Sequence, residues 1–128
     1  MAIVYQVNGK VTVDEVIDVF RRSGIRRPVE DAERIQRILA GANLTVTAWD
    51  GERLVGIARA LTDFSYCCYL SDLAVAREYQ RAGIGRELVL RVKVETGEEC
   101  MLLLLAAPEA MEYYPKIGFE KVENGIIS

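Results

Sequence analysis

Leu73-Ala74-Val75-Ala76-Arg77-Glu78-Tyr79-Gln80-Arg81-Ala82-Gly83-Ile84-Gly85-Arg86-Glu87-Leu88 runs from an apolar strand through a polar turn into two glycines that open a helix. The first turn of a helix leaves backbone N–H groups without intrahelical partners, and its aligned peptide dipoles favour an anion there. Gly83 and Gly85 lack a Cβ, so a phosphate can approach the backbone and positive φ is open to them. The stretch reads as a pyrophosphate cradle. A dinucleotide fingerprint needs a third small residue where Leu88 stands, and a P-loop needs a Gly-Lys-Ser/Thr that is absent. By itself the glycine pair also fits an ordinary strand-to-helix turn, so the flanking sequence decides.

Downstream, Ile84, Leu88 and Val92 recur at four-residue spacing as the buried face of a helix that Gly97 closes. Met101-Leu102-Leu103-Leu104-Leu105-Ala106 is apolar throughout, which predicts a central strand covered on both faces. Strand, helix and strand in this order make a right-handed βαβ unit. Pro108 suits the first turn of another helix reaching Ile117; Gly118 ends it, and Phe119-Glu120-Lys121-Val122 is expected as a last short strand.

Upstream, Ile3-Val4-Tyr5-Gln6-Val7 is strand-like. Thr12-Val13-Asp14-Glu15 has the form of a capping box, and Val13, Val16, Ile17 and Phe20 make a helical stripe that Gly24 stops. Past Ile25-Arg26-Arg27-Pro28, a shorter helix carries Ile35, Ile38 and Leu39. Leu44 to Trp49 and Leu54 to Leu61 are strands joined by the turn pair Asp50-Gly51, and Tyr66 to Val75 is the next strand.

The 128 residues make one domain, 1–128, able to bury a core without disulfides or metal. A net charge of −3 with scattered Lys and Arg argues against a nucleic-acid binder, so attraction for an anionic ligand must be local. Cys67, Cys68 and Cys100 suggest neither a disulfide framework nor a metal knuckle, and the expectation is a reduced cytoplasmic protein. With no basic n-region and no long apolar run, neither secretion nor membrane association is expected. The absence of histidine removes Ser-His-Asp and Cys-His catalysis, His zinc sites and imidazole bases. Cys67 or Cys68 as a nucleophile would lack its activating base.

Gln80-x-x-Gly83-x-Gly85 resembles the acyl-CoA signature of the GNAT superfamily of N-acetyltransferases. Ala110-Met111-Glu112-Tyr113-Tyr114-Pro115-Lys116-Ile117-Gly118-Phe119 resembles that family's C-terminal pattern, an aromatic-Tyr pair followed by a turn and Gly-Phe, and Val55-Gly56 stands upstream. The order of elements matches over nearly the whole chain. The resemblance implies an α/β fold with a mixed central sheet flanked by helices on both faces. It also implies direct acetyl transfer from acetyl-CoA to a primary amine of a small molecule or peptide, without a metal or an acetyl-enzyme.

Carried over by position, Leu73 and Val75, with Ala74 between them, would present backbone groups to the pantetheine arm. A backbone N–H of Ala74 or Val75 would polarise the thioester. Gln80, Arg81, Ala82, Gly83, Ile84, Gly85 and Arg86 would surround the pyrophosphate, with Arg81 and Arg86 adding charge or remaining solvated helix-end charges. Tyr114 would protonate the leaving thiolate, a phenol near pH ~10 serving a thiol near ~8.5; its alternative role is packing on the cofactor. For the amine's proton, Asp72 and Asp63 are the candidate bases, or else a structural hydrogen bond and a turn cap. These aspartates predict an acidic cleft mouth that favours a cationic amine, whereas Arg26 and Arg27 folded over the cleft would favour an anionic acceptor. A non-catalytic acyl-CoA-binding or sensory module is the alternative function. Two departures stand out: Pro108 replaces a polar pantetheine contact, and the segment after Phe119 is shorter than the usual final hairpin, leaving an edge open or completed in a homodimer.

Overall fold

The computed structural model describes residues 2–128. The elements are β1 (Ile3–Val7), α1 (Val13–Ser23), α2 (Ala32–Gly41), β2 (Leu44–Asp50), β3 (Arg53–Thr62), β4 (Cys67–Val75), α3 (Ile84–Thr96), β5 (Met101–Leu103) and α4 (Tyr113–Lys116). The five strands form one sheet in sequence order, antiparallel from β1 to β4 and parallel between β4 and β5.

Local chemistry places the helices. The Thr12 hydroxyl accepts from Glu15 N and the Glu15 carboxylate accepts from Thr12 N, so the reciprocal cap forms as expected, and Gly24 closes α1 at φ 81. α1 and α2 cover one sheet face, with Val16, Val19, Phe20 and Ile35 buried against Leu54, Ile57 and Ala74. α3 covers the other, with Ile84, Leu88, Val89 and Val92 packed on Val46, Ala48, Val55 and Ala58. The mixed sheet between helical layers is thus the expected α/β architecture. At Gly56 an added Cβ would stand 3.2 Å from both Ile84 Cγ2 and Leu88 Cδ1, so the missing side chain lets α3 seat its N-terminal turn on the sheet.

A bulge shapes β4. Asp72 lies opposite Arg59, yet Leu70 lies opposite the next residue, Ala60, so Ser71 is an extra residue. The bulge reverses the facing of the strand: Cys68 and Leu70 join the α3 core, whereas Ala74 joins the α1 core and Asp72 shares its facing. Pairing with β5 covers only Cys67 to Tyr69. Beyond it the two strands diverge.

The C-terminal region departs from three sequence expectations. β5 ends at Leu103 and forms an edge, with Met101 56% and Leu105 60% exposed, because no strand among the described residues pairs with its outer side. An all-apolar run therefore did not signal a central strand. In place of one helix from Pro108 to Ile117 stand a 3-10 turn, Pro108–Ala110, and the single turn of α4. Phe119 to Val122 form no strand; the Phe119 ring packs edge-on against Tyr114 and under Lys93 Nζ.

Candidate acyl-CoA site

Where β4 and β5 part, a continuous cleft opens. One portion, about 490 Å³, is lined by Leu73, Val75, the turn from Tyr79 to Arg86, and Tyr113 and Tyr114. The other, about 670 Å³, runs between Leu70 to Val75 and Leu104 to Ala110 and reaches the α1–α2 link, including Arg26 and Arg27. Leu73, Val75, Gln80, Ala110 and Tyr114 border both.

At one end the glycine turn forms as the sequence predicts. Gly83 is the N-cap of α3 at φ 82 and offers no side-chain acceptor, and Arg81 also has positive φ, 69. Glu87 N reaches Gly83 O at 3.0 Å, leaving the preceding amides of the first turn aimed outward. A Cβ on Gly85 would project toward Tyr113 Oη at 3.4 Å and Val75 Cγ2 at 3.8 Å, into the cleft wall. The cradle therefore has the open backbone that a pyrophosphate requires. Gln80 Nε2 donates to Val75 O at 2.9 Å and ties the turn to the strand end. Of the residues predicted here, all but Ala82 line the cleft.

Along β4, Ala76 N donates to Val55 O at 2.9 Å. Backbone groups alternate sides along a strand, so those of Ala74 also face β3, while those of Leu73 and Val75 face the unpaired side. This corrects the assignment of Ala74 as a thioester-polarising donor and leaves Leu73 and Val75.

Tyr114 is half-buried between the two portions, edge-on to Tyr113 and Phe119 at ring distances of 5.2 and 5.5 Å. Burial, and secondarily Tyr113, push its phenol above the usual value, so it holds its proton at neutral pH. That is the state a general acid needs.

Both candidate bases are elsewhere. Asp72 has no exposed surface; its Oδ1 accepts from Arg27 Nε at 2.6 Å and its Oδ2 from Arg59 Nε. With both oxygens engaged by guanidiniums and away from the cleft, it is poorly placed to take a proton, and we assign it to fixing Arg27. Asp63 caps the β3–β4 turn at the far end of β4, its Oδ1 accepting from the amides of Ser65, Tyr66 and Cys67 at 2.8–3.0 Å. Those amides hold its carboxyl at about 2. Arg26 and Arg27, by contrast, do fold over the cleft. The expectation of an acidic mouth is corrected accordingly.

Among the lining residues to which the sequence reading gave no role, three carry titratable groups. Glu109 is the carboxylate lining the cleft. Tyr113 sets its hydroxyl over Gly85, and Tyr79 borders the turn while donating to Asp50. Only the pairing of Tyr113 with Tyr114 was a usable signal; the positions of Tyr79 and Glu109 depend on irregular turns. Among the described residues there is no cluster of metal-ligating side chains, and no helix is long and apolar enough to cross a membrane.

Comparison with known proteins agrees with this geometry. Residues 14–127 match the family model described as "Acetyltransferase (GNAT) domain". An uncharacterized N-acetyltransferase, ycf52, of Porphyra purpurea is 29% identical over 76 residues, which are 58% of this chain and 44% of that protein. The chain thus spans less than half the length of this relative. Among solved structures, a GNAT family acetyltransferase from Streptococcus pneumoniae superposes with a TM-score of 0.82 at 23% identity, covering 99% of this chain and 97% of that one. The aminoglycoside N-acetyltransferase AAC(6')-Iy, solved in complex with CoA, superposes with a TM-score of 0.74 at 16% identity over 99% and 93% of the two chains.

Proposed function

The chain belongs to the GNAT acetyltransferase family, and from that premise we propose that it transfers the acetyl group of acetyl-CoA directly to a primary amine. The observation that carries the reading is the single cleft linking the outward amides at the start of α3, the unpaired backbone of Leu73 and Val75, and Tyr114. The thioester supplies an activated acetyl group with a thiol leaving group. Backbone amides from Gly83 to Arg86 hold the pyrophosphate, with Arg81 and Arg86 beside them. The N–H of Leu73 or Val75 stabilises charge on the carbonyl oxygen, and Tyr114 gives its proton to the departing sulfur. Glu109 or solvent takes the proton from the amine.

Withdrawal of Asp72 into its ion pairs is the observation that favours the second reading, a non-catalytic acyl-CoA-binding module. Thiol release from acetyl-CoA, followed with an amine panel, separates the two: amine-dependent release with an acetylated product of the expected mass supports the transferase. Tight binding without release from any amine supports the module.

A further inference from the structure

Resting on the transferase reading, we propose that the acceptor is an amine that also carries an anionic group, a carboxylate or a phosphate, held at the arginine-lined mouth of the cleft. The charge distribution carries this. Arg27 and Arg59 share the single carboxylate of Asp72, so this triad, in which Asp72 and Arg59 are buried and Arg27 half-buried, keeps one uncompensated positive charge. Arg27 is fixed further, donating from Nη2 to Ser71 O at 2.7 Å and from Nη1 to Arg26 O at 2.5 Å, and it borders the cleft.

Two further cations stand at the same mouth. Arg26 lines it, and the Arg77 guanidinium lies against Gly24, with Nη2 2.5 Å from where a Gly24 Cβ would stand. Neither takes part in an ion pair among the described residues. Against them stand Glu109 on the opposite wall and, next to Arg77, the pair Asp18 and Glu78, which share the one guanidinium of Arg22 at 3.1 and 2.5 Å and so leave a single negative charge there. The balance is positive.

Two consequences follow. A carboxylate or phosphate on the acceptor gains a guanidinium partner, whereas a polyamine or aminoglycoside brings several positive charges to a positive mouth. The same field disfavours the ammonium form of the amine, which must be neutral to attack, in a cleft whose buried aspartate is not available as a base.

The test is thiol-release kinetics with acceptors matched around one amine: L-amino acids against their amides, phosphoethanolamine against ethanolamine, and spermidine. The amides have the less basic amines, so intrinsic reactivity runs against the expected order. A preference for the anionic member of at least about tenfold in kcat/KM is expected, falling about tenfold, chiefly through KM, in Arg26→Glu and Arg77→Glu. Arg26→Lys should keep it. Preference for carboxylates over phosphate, or the reverse, identifies the acceptor group. Equal use of acid and amide, preference for spermidine, release from no anionic amine despite acetyl-CoA binding, or an unchanged ratio in both charge reversals would overturn the proposal while leaving the cofactor site intact. Failure to bind acetyl-CoA would instead remove the transferase reading and this inference together.

Discussion

The Tyr114 phenol is protonated at neutral pH as any phenol is, burial widens that margin, and the consequence is kinetic. Tyr114→Phe keeps the ring packing on Phe119 but deletes the transferable proton, so kcat should fall by about 10²-fold or more with little change in acetyl-CoA affinity. The direction of the shift fixes the pH response. A group that is active when protonated, with its titration raised above the ordinary phenol range, sustains the rate through neutral and mildly alkaline pH and fails only above ~10. Wild type should show that basic limb and Tyr114→Phe should lack it; an identical profile and unchanged kcat, with chemistry rate-limiting, would reduce Tyr114 to packing. Of the residue assignments, those in the glycine turn were readable in advance, whereas the facing of the Ala74 backbone was not. Gly83, Gly85 and Gln80 sit where the spacing puts them, because a strand-to-helix turn is a local structure. Asp72 was misread because its partners, Arg27 and Arg59, arrive from other elements and no spacing reveals them.

At the scale of elements, two local devices can be tested, one seating α3 and one tying a strand turn. The first is Gly56, beneath the N-terminal turn of α3. Gly56→Ala would force Ile84 and Leu88 to give way, lowering stability by about 1–3 kcal/mol as overpacking does and weakening acetyl-CoA binding as the cradle shifts. Denaturant titration and calorimetry of the same variant measure both; a variant with unchanged stability and affinity would show that α3 is not seated by this contact. The second is the β3–β4 turn, tied by Asp63. Its carboxyl is lowered from 3.8 to about 2 by the amides of Tyr66, Ser65 and Cys67. A depressed carboxyl contributes its stability in full above the ordinary value and loses it as pH falls toward the lowered one, so this turn should loosen between about pH 4 and 2. Amide exchange of Ser65 to Cys67 should accelerate over that window, and Asp63→Asn should abolish the pH step; a step that persists in the variant would assign it to another group. Capping, turn and βαβ signals were legible since each is confined to a few residues. The length and edge position of β5 were not, because whether Leu104 and Leu105 are paired depends on a neighbour that their own apolarity does not name.

For the whole molecule, the sheet acts as a frame with a gap in it. Antiparallel pairing fixes β1 to β4, the bulge at Ser71 turns the second half of β4, and the short pairing with β5 leaves the N–H groups of Leu73 and Val75 without a strand partner beside the glycine turn, where Gln80 holds the Val75 carbonyl. Everything proposed for function depends on acetyl-CoA occupying that gap, and the most direct measurement is calorimetric titration of acetyl-CoA into wild type and Gly85→Val. The Cβ of a β-branched side chain at position 85 would stand in ordinary contact with Tyr113 Oη at 3.4 Å and Val75 Cγ2 at 3.8 Å at the cleft wall, so the fold should survive, which a melting curve of the variant checks. Wild type should bind one equivalent, and the variant should bind at least about tenfold more weakly, a loss of about 1.4 kcal/mol or more. Equal affinities in two folded proteins, or no binding by wild type, would contradict the account.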